Sequence, residues 1–156
     1  MMRAKWLVAL VLCVGTPTLA SENCWVSAGD RYGVDPWLLY SIAHVESSHR
    51  PDATNLNEGR AGREPTEDVG IMQINSWWLP RLAEYGIGRD TLFDPCINIY
   101  VGAWILAQSL QLFEDLWEGV GAYNAGTGRT ENASRLRRKY AEKVRVVYDQ
   151  YLAAGL

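Results

Sequence analysis

The sequence predicts a single, mostly α-helical domain, and three observations carry that reading. Apolar residues recur at helical spacing through most of the chain, and the strict alternation of β-branched residues that marks a strand is nearly absent. The dipeptide Asp-Pro, which supplies an N-cap and a first-turn proline, opens helical stretches at residues 35–36 and 94–95. The 156 residues, 48% hydrophobic and 21% charged, fit one ordinary globular unit, with no linker, internal repeat or low-complexity tract.

The first twenty residues stand apart. Arg3 and Lys5 precede an unbroken apolar run from Trp6 to Gly15, and Thr16-Pro17-Thr18-Leu19-Ala20 adds a breaker and small residues. This is the pattern of a secretory signal peptide cut after Ala20, leaving residues 21–156 as the exported, periplasmic domain. Ten apolar residues span only ~15 Å as a helix against a hydrocarbon core of ~30 Å, which disfavours a retained membrane anchor. Cys13 leaves with the segment, and Cys24 and Cys96 remain as an even pair in an oxidising compartment, hence an expected disulfide. The loop it closes is worth ~4 kcal/mol in the chain-entropy treatment; two buried thiols are the alternative.

Asp35-Pro36 starts a helix that runs through Glu46 until Pro51 forbids its continuation. Leu39, Ile42, Ala43 and Glu46 share one face, so the glutamate borders the buried stripe. Residues 54–68 are polar, with Gly59, Gly62, Pro65 and charges of both signs, and read as an exposed loop or a small β-hairpin near 55–68. Ser76 to Tyr85 reads as a helix interrupted by Pro80 and closed by Gly86. Asp94-Pro95 opens a helix from Cys96 to about Phe113 that is apolar on nearly every side and belongs in the centre of the fold. A short helix from Asp115 to Tyr123 ends at Asn124-Ala125-Gly126. The last helix carries a stripe through Leu136, Tyr140, Val144, Tyr148 and Leu152 and should buttress the domain.

The net charge of −3 gives no basic footprint for nucleic acid, which is excluded as a partner. The run Arg135, Arg137, Arg138, Lys139 reads as a solvated helix face. His44-Val45-Glu46 with a later Pro95-Cys96 invites a zinc deaminase reading, but Ile99 stands where the second cysteine is needed. His44 and His49 are five apart and cannot grip one ion as an i, i+4 pair does, so neither metal nor cofactor is expected. No Gly-x-Ser-x-Gly is present for a serine nucleophile.

Glu46 remains. A helical glutamate is ordinarily solvated, but one that borders a buried face near a helix end can keep its proton close to neutrality. Glycosidic cleavage requires such an acid, because the bridging oxygen is a poor leaving group until it is protonated. Glu67 and Asp68 are available as a second carboxylate, though nothing in the sequence fixes either one opposite Glu46.

Glu46-Ser47 with Arg50-Pro51-Asp52-Ala53, then Gly70-Ile71-Met72-Gln73-Ile74-Asn75, then Ala122-Tyr123-Asn124-Ala125-Gly126 resembles the motif set of lytic transglycosylases with a lysozyme-like fold. The resemblance implies Glu46 as the single catalytic acid that afterwards acts as base, oriented by Ser47. Ser47, Gly70, Met72 and Gln73 would then belong to the sugar-binding cleft, with Tyr123 and Asn124 as its opposite wall. It also implies peptidoglycan glycan strands as substrate, cut at the MurNAc-β-1,4-GlcNAc bond. The substrate's own C6 hydroxyl attacks, leaving 1,6-anhydroMurNAc ends. Cys24-Trp25, Ile74-Asn75-Ser76-x-Trp78-Leu79-Pro80 and Asp94-Pro95-Cys96-x-Asn98 further resemble small specialised members that act, as monomers, beside type III or type IV secretion, conjugation or pilus machines. The charged stretch from Asn55 to Asp68 departs from the compact family pattern. A hydrolytic muramidase and a catalytically inert peptidoglycan-binding protein are the alternatives. Trp37, Trp104 and Trp117 are expected in the core, and Trp77, Trp78 and Tyr85 either stack on sugars or fill the small lobe.

Overall fold

The computed structural model describes residues 19–59, 62 and 64–155; the apolar run of the expected signal peptide lies outside them. Helices α1 (Leu19–Tyr32), α2 (Pro36–Ser47), α3 (Leu79–Leu82), α4 (Pro95–Gln111), α5 (Leu116–Ala125) and α6 (Glu131–Ala153) surround the core. Between α2 and α3 lies an antiparallel sheet of β1 (Thr54–Asn57), β2 (Thr66–Val69) and β3 (Ile74–Asn75), in that spatial order. The mostly α expectation therefore holds, and the hairpin near 55–68 acquires a third strand.

α2 begins as the sequence predicts: the Asp35 carboxylate accepts from the Trp37 backbone N–H at 2.8 Å. Leu38, Leu39, Ile42 and Ala43 are buried on its inner side. Asp94 caps α4 in the same way, accepting from the Ile97 N–H at 3.0 Å. α4 is the central helix, burying Ile99, Val101, Ala103, Ile105 and Leu106 between α1 and α5. Ser76 to Tyr85 folds as a 3₁₀ turn (Ser76–Trp78), α3, and a second 3₁₀ turn (Ala83–Tyr85), closed by Gly86 at φ 73°.

The sequence reading did not include α1, whose inward-facing stripe is narrow and made of Cys24, Ala28 and the partly buried Tyr32 rather than of large aliphatic side chains. Its stability is tertiary: Ala28 is fully buried, and Cys24 is joined by a disulfide to Cys96 at the start of α4, Cα to Cα 5.5 Å. Three other expectations are corrected. Leu136 and Leu152, at the two ends of the proposed α6 stripe, are exposed; the face that packs carries Arg137, Tyr140, Ala141 and Val144. Trp37 lies outside the core, against Tyr40 and Tyr151 on the outer side of α2, whereas Trp104 and Trp117 do pack on it. Arg137 is not solvated.

Its side chain, 5% exposed, donates to Glu118 Oε2 at 2.6 Å and to the Gly128 carbonyl at 2.6 Å, and its guanidinium lies 4.8 Å from the Phe113 ring centroid. Sequence charge runs do not reveal such a residue, because the compensating carboxylate comes from another helix. α6 also grips α2 through three tyrosine hydroxyls. Tyr140 reaches Glu46, Tyr148 reaches Asp35, and Tyr151 meets His44. The helix that presents Glu46 is thus fastened at its N-cap and, twice, along its last turn.

Candidate active site

Glu46 sits one residue before the end of α2, and the chain leaves that helix through two consecutive left-handed residues, Ser48 (φ 55°) and His49 (φ 61°). Such a turn is costly for non-glycine residues and persists only where contacts over-determine it. Here His49 stacks on Tyr40, 4.0 Å between ring centroids, while its Nε2 lies 2.9 Å from the Tyr40 carbonyl. Ser47 donates to the Ile71 carbonyl at 2.7 Å and accepts from the Arg50 N–H at 3.1 Å. The turn therefore ties the end of α2 to the segment that follows β2.

That segment is Gly70-Ile71-Met72-Gln73. Gly70 adopts φ 80°, and a Cβ there would lie 2.2 Å from Asn98 Nδ2, so both conformation and space demand glycine. Fully buried Asn98 donates to the carbonyls of Val69 and Leu92 and accepts from the Met72 N–H at 2.8 Å. Gln73 is left-handed as well, at φ 50°, and is held by its own amide, which donates to the carbonyls of Ala53 at 3.1 Å and Gly70 at 3.0 Å. On the opposite side, Tyr123 donates to the Met72 carbonyl at 2.8 Å, joining α5 to this turn.

These elements enclose a cavity of about 340 Å³ that contains Glu46, Asp68, Gln73, Trp78, Tyr123 and Asn124 among its walls. Of the residues expected from the sequence, Glu46, Gln73, Tyr123 and Asn124 meet there. Ser47, Gly70 and Met72 do not. They are buried behind the wall and shape it through the backbone, and Met72 is fully enclosed against Gly102 of α4. Their expected place in the cleft is thus behind its wall rather than on it: a short hydroxyl, a bare Cα and a core methionine hold the turn. The Ser47 hydroxyl bonds to backbone groups at the end of α2 and in the following turn rather than to the Glu46 carboxyl group. The Gln73 amide N–H groups go to backbone carbonyls and leave its oxygen as the group free for a ligand.

The carboxyl group of Glu46 is pushed up from 4.5 to about 7, chiefly because burial penalises its charged form. Opposing this is the hydrogen bond that Tyr140 donates to Oε1, 2.6 Å long. The negative charge of Asp68 adds to the rise, while Asn124 and Lys143 work against it. Tyr123 and Tyr140 are themselves held well above the usual phenol range by burial and by the charge of Glu46, so both remain hydrogen-bond donors.

Asp68 is the second acidic group of the cavity. Its Oδ2 accepts from Asn57 at 2.8 Å and from Asn55 at 3.4 Å, and its Oδ1 accepts from Asn75 at 2.7 Å. The register places it directly opposite Asn55 on β1 and Asn75 on β3. Sequence reasoning named Asp68 without being able to place it. The available signal was Asn55-x-Asn57, which in a strand puts both amides on one face. Tyr140 was read only as a packing residue; no local signal distinguishes a tyrosine whose hydroxyl meets a carboxyl 94 positions away. Among the described residues, no group of three or more His, Cys, Asp or Glu side chains is arranged to hold a metal ion.

Over residues 23–146 the chain matches the family described as the transglycosylase SLT domain. It is similar to the invasion protein IagB of Salmonella typhimurium, 39% identical over 139 residues that cover 88% of this chain and 81% of IagB. Protein IpgF of Shigella flexneri is 38% identical over 146 residues, 93% of this chain and 89% of IpgF. The X polypeptide of Escherichia coli is 37% identical over 145 residues, 92% and 83% of the two chains. Among solved structures, an inactive mutant of the lytic transglycosylase Slt from Pseudomonas aeruginosa superposes with a TM-score of 0.61 at 21% identity, over 88% of this chain. The chain spans 25% of the length of that structure, a likeness of fold.

Proposed function

Because the chain belongs to the transglycosylase SLT domain family, we propose that Glu46 is the acid and then the base of a peptidoglycan lytic transglycosylase. The observation that supports this role is a carboxyl group raised to about 7 inside a cavity between the sheet and α5. At neutral pH a substantial fraction of such a group is protonated, as proton donation to a glycosidic oxygen requires.

The reaction balances without water. Protonated Glu46 gives its proton to the bridging oxygen between MurNAc and GlcNAc, and the C1–O bond breaks as positive charge grows at C1 of MurNAc. The C6 hydroxyl of the same MurNAc then bonds to C1 and loses its proton to the Glu46 carboxylate. A 1,6-anhydroMurNAc end and a free GlcNAc 4-hydroxyl result, and the acid is restored. Asp68, held by three asparagine amides, is suited to stabilise the developing positive charge. Gln73, Tyr123 and Asn124 form the walls against which the sugars lie.

Asp68 also favours a second reading, hydrolysis by water with two carboxyl groups. Products separate the two. Sacculi digested with the protein should release muropeptides bearing the anhydro end; reducing MurNAc ends in their place would make the enzyme a muramidase. Glu46→Gln, verified to fold, should lower release by at least about a hundredfold. Unchanged release would remove Glu46 from the chemistry altogether and leave an accessory protein that binds peptidoglycan.

The site of action follows from the substrate: peptidoglycan lies outside the cytoplasmic membrane, consistent with residues 1–20 as a signal peptide and 21–156 as the working domain. Similarity to an invasion protein supports a role in opening the wall locally for an envelope-spanning secretion or pilus machine, whose components would be its partners.

A further inference from the structure

The cavity around Glu46 is not closed at its far side. A larger groove of about 990 Å³ adjoins it and shares Asn57, Asn75, Trp78, Ile105, Tyr123 and Asn124 with it, so the two form one continuous cleft. The outer part of that cleft runs between the β1–β2 connection and the C-terminal ends of α4 and α5. It contains two large apolar side chains, Trp77 and Leu112, that are 69% and 65% exposed.

Trp77 is unusual because its exposure is built into the fold. The Asn75 side chain accepts from its backbone N–H at 2.9 Å and fixes the 3₁₀ turn that carries it. Its indole stands edge-on to Trp78, 4.9 Å between centroids at 81°, and Trp78 is in turn backed by Trp104 of α4 at 5.3 Å. A series of edge-to-face rings thus props an open indole beside the groove, and Glu58, Glu64, Thr66 and Gln108 place hydrogen-bonding groups on the same rim. An apolar flat face flanked by hydrogen-bonding groups matches a pyranose ring, which has a C–H face and a polar equator.

We propose that Trp77 is a sugar-stacking platform at a distal subsite, remote from the scissile bond, so that the cleft engages a run of several sugars and cuts within a strand. This rests on the transglycosylase reading and names the length of substrate that the same cleft takes. A stem peptide is the competing occupant of the outer groove, and neutral oligosaccharides separate the two because they carry no peptide.

The test uses Glu46→Gln protein, which holds ligand without turnover, titrated with chitohexaose and chitotriose by calorimetry, beside digestion of sacculi by the wild type and by Trp77→Ala. The hexaose should bind more tightly than the triose. Adding Trp77→Ala should weaken hexaose binding about five- to tenfold, as expected for one lost stacking contact, with little effect on the triose. Trp77→Tyr should restore most of the loss. Tyr85→Ala removes an equally exposed ring, 70% exposed, from a separate groove beside α3 and α4 and serves as the control that should change nothing. Equal affinity for the two oligosaccharides, or Trp77→Ala binding the hexaose as well as its parent does, overturns the platform. So does a Trp77→Ala defect confined to peptide-bearing strands, which assigns the groove to the stem. Failure of the wild type to release any muropeptide overturns the transglycosylase reading instead.

Discussion

At the scale of single residues, the acid strength of Glu46 is set chiefly by burial and adjusted by opposing neighbours, each of which can be removed separately. Tyr140 donates a hydrogen bond that favours the charged carboxylate, so Tyr140→Phe should move the alkaline limb of activity to higher pH. Asp68 repels that charge, so Asp68→Asn should move the limb to lower pH. In the parent enzyme the midpoint should lie near 7, where Glu46 loses its proton. The measurement is the initial rate of muropeptide release between pH 4 and 9, and shifts of the same sign in the two variants would contradict this account. Of these residues only Glu46 was legible in the sequence with a role. Its placement on the border of an apolar helix face is a local property, whereas Asp68 and Tyr140 acquire meaning from sheet register and from the packing of α6 on α2.

At the scale of elements, the positions of Tyr123 and Asn124 depend on how α5 ends, and that end is held by α6. Arg137 bonds to Glu118 near the start of α5 and to the carbonyls of Gly126 and Gly128 just after it. Truncating Arg137 leaves a carboxylate and two carbonyls short of their donor in a largely buried setting. Arg137→Leu should therefore cost about 3 kcal/mol of stability or more by denaturant unfolding. It should also reduce activity under conditions where the variant is still folded, because the Tyr123–Asn124 wall loses its support. A loss of less than 0.5 kcal/mol, about that of an ordinary surface change, would show the pair to be incidental. Elements with strong local signals were readable in advance. The Asp-Pro starts of α2 and α4 and the glycine after α5 are chemical statements made within a few residues. α1 and β3 were not readable, because one rests on a disulfide and buried contacts with α4, and the other is two residues of pairing to a neighbouring strand.

At the scale of the whole molecule, the enclosed acid costs stability. Between pH 4.5 and about 7 the folded protein retains a proton on Glu46 that the unfolded chain releases, so stability falls as pH rises through that window. Above it, the penalty amounts to about 3 kcal/mol. Glu46→Gln removes the charge and should raise the melting temperature by on the order of 10 °C more at pH 8 than at pH 4. Equal gains at the two pH values would mean that the carboxyl group is not held in its protonated form. A carboxyl group enclosed within a cleft at a cost in stability is a common signature of a functional site.

The sequence by itself determined the helical class, the Asp-Pro starts of α2 and α4 and the pairing of Cys24 with Cys96, and it singled out Glu46 as the candidate acid. Each of these rests on neighbours along the chain or on simple counting. Only the tertiary structure decided which motif residues face the cleft and which lie behind it, that Asp68 shares the cavity with Glu46, and that Arg137 is buried. The physical reason is that burial, charge compensation and cleft shape are properties of surfaces brought together from distant segments, and no local pattern encodes which surface a side chain will meet.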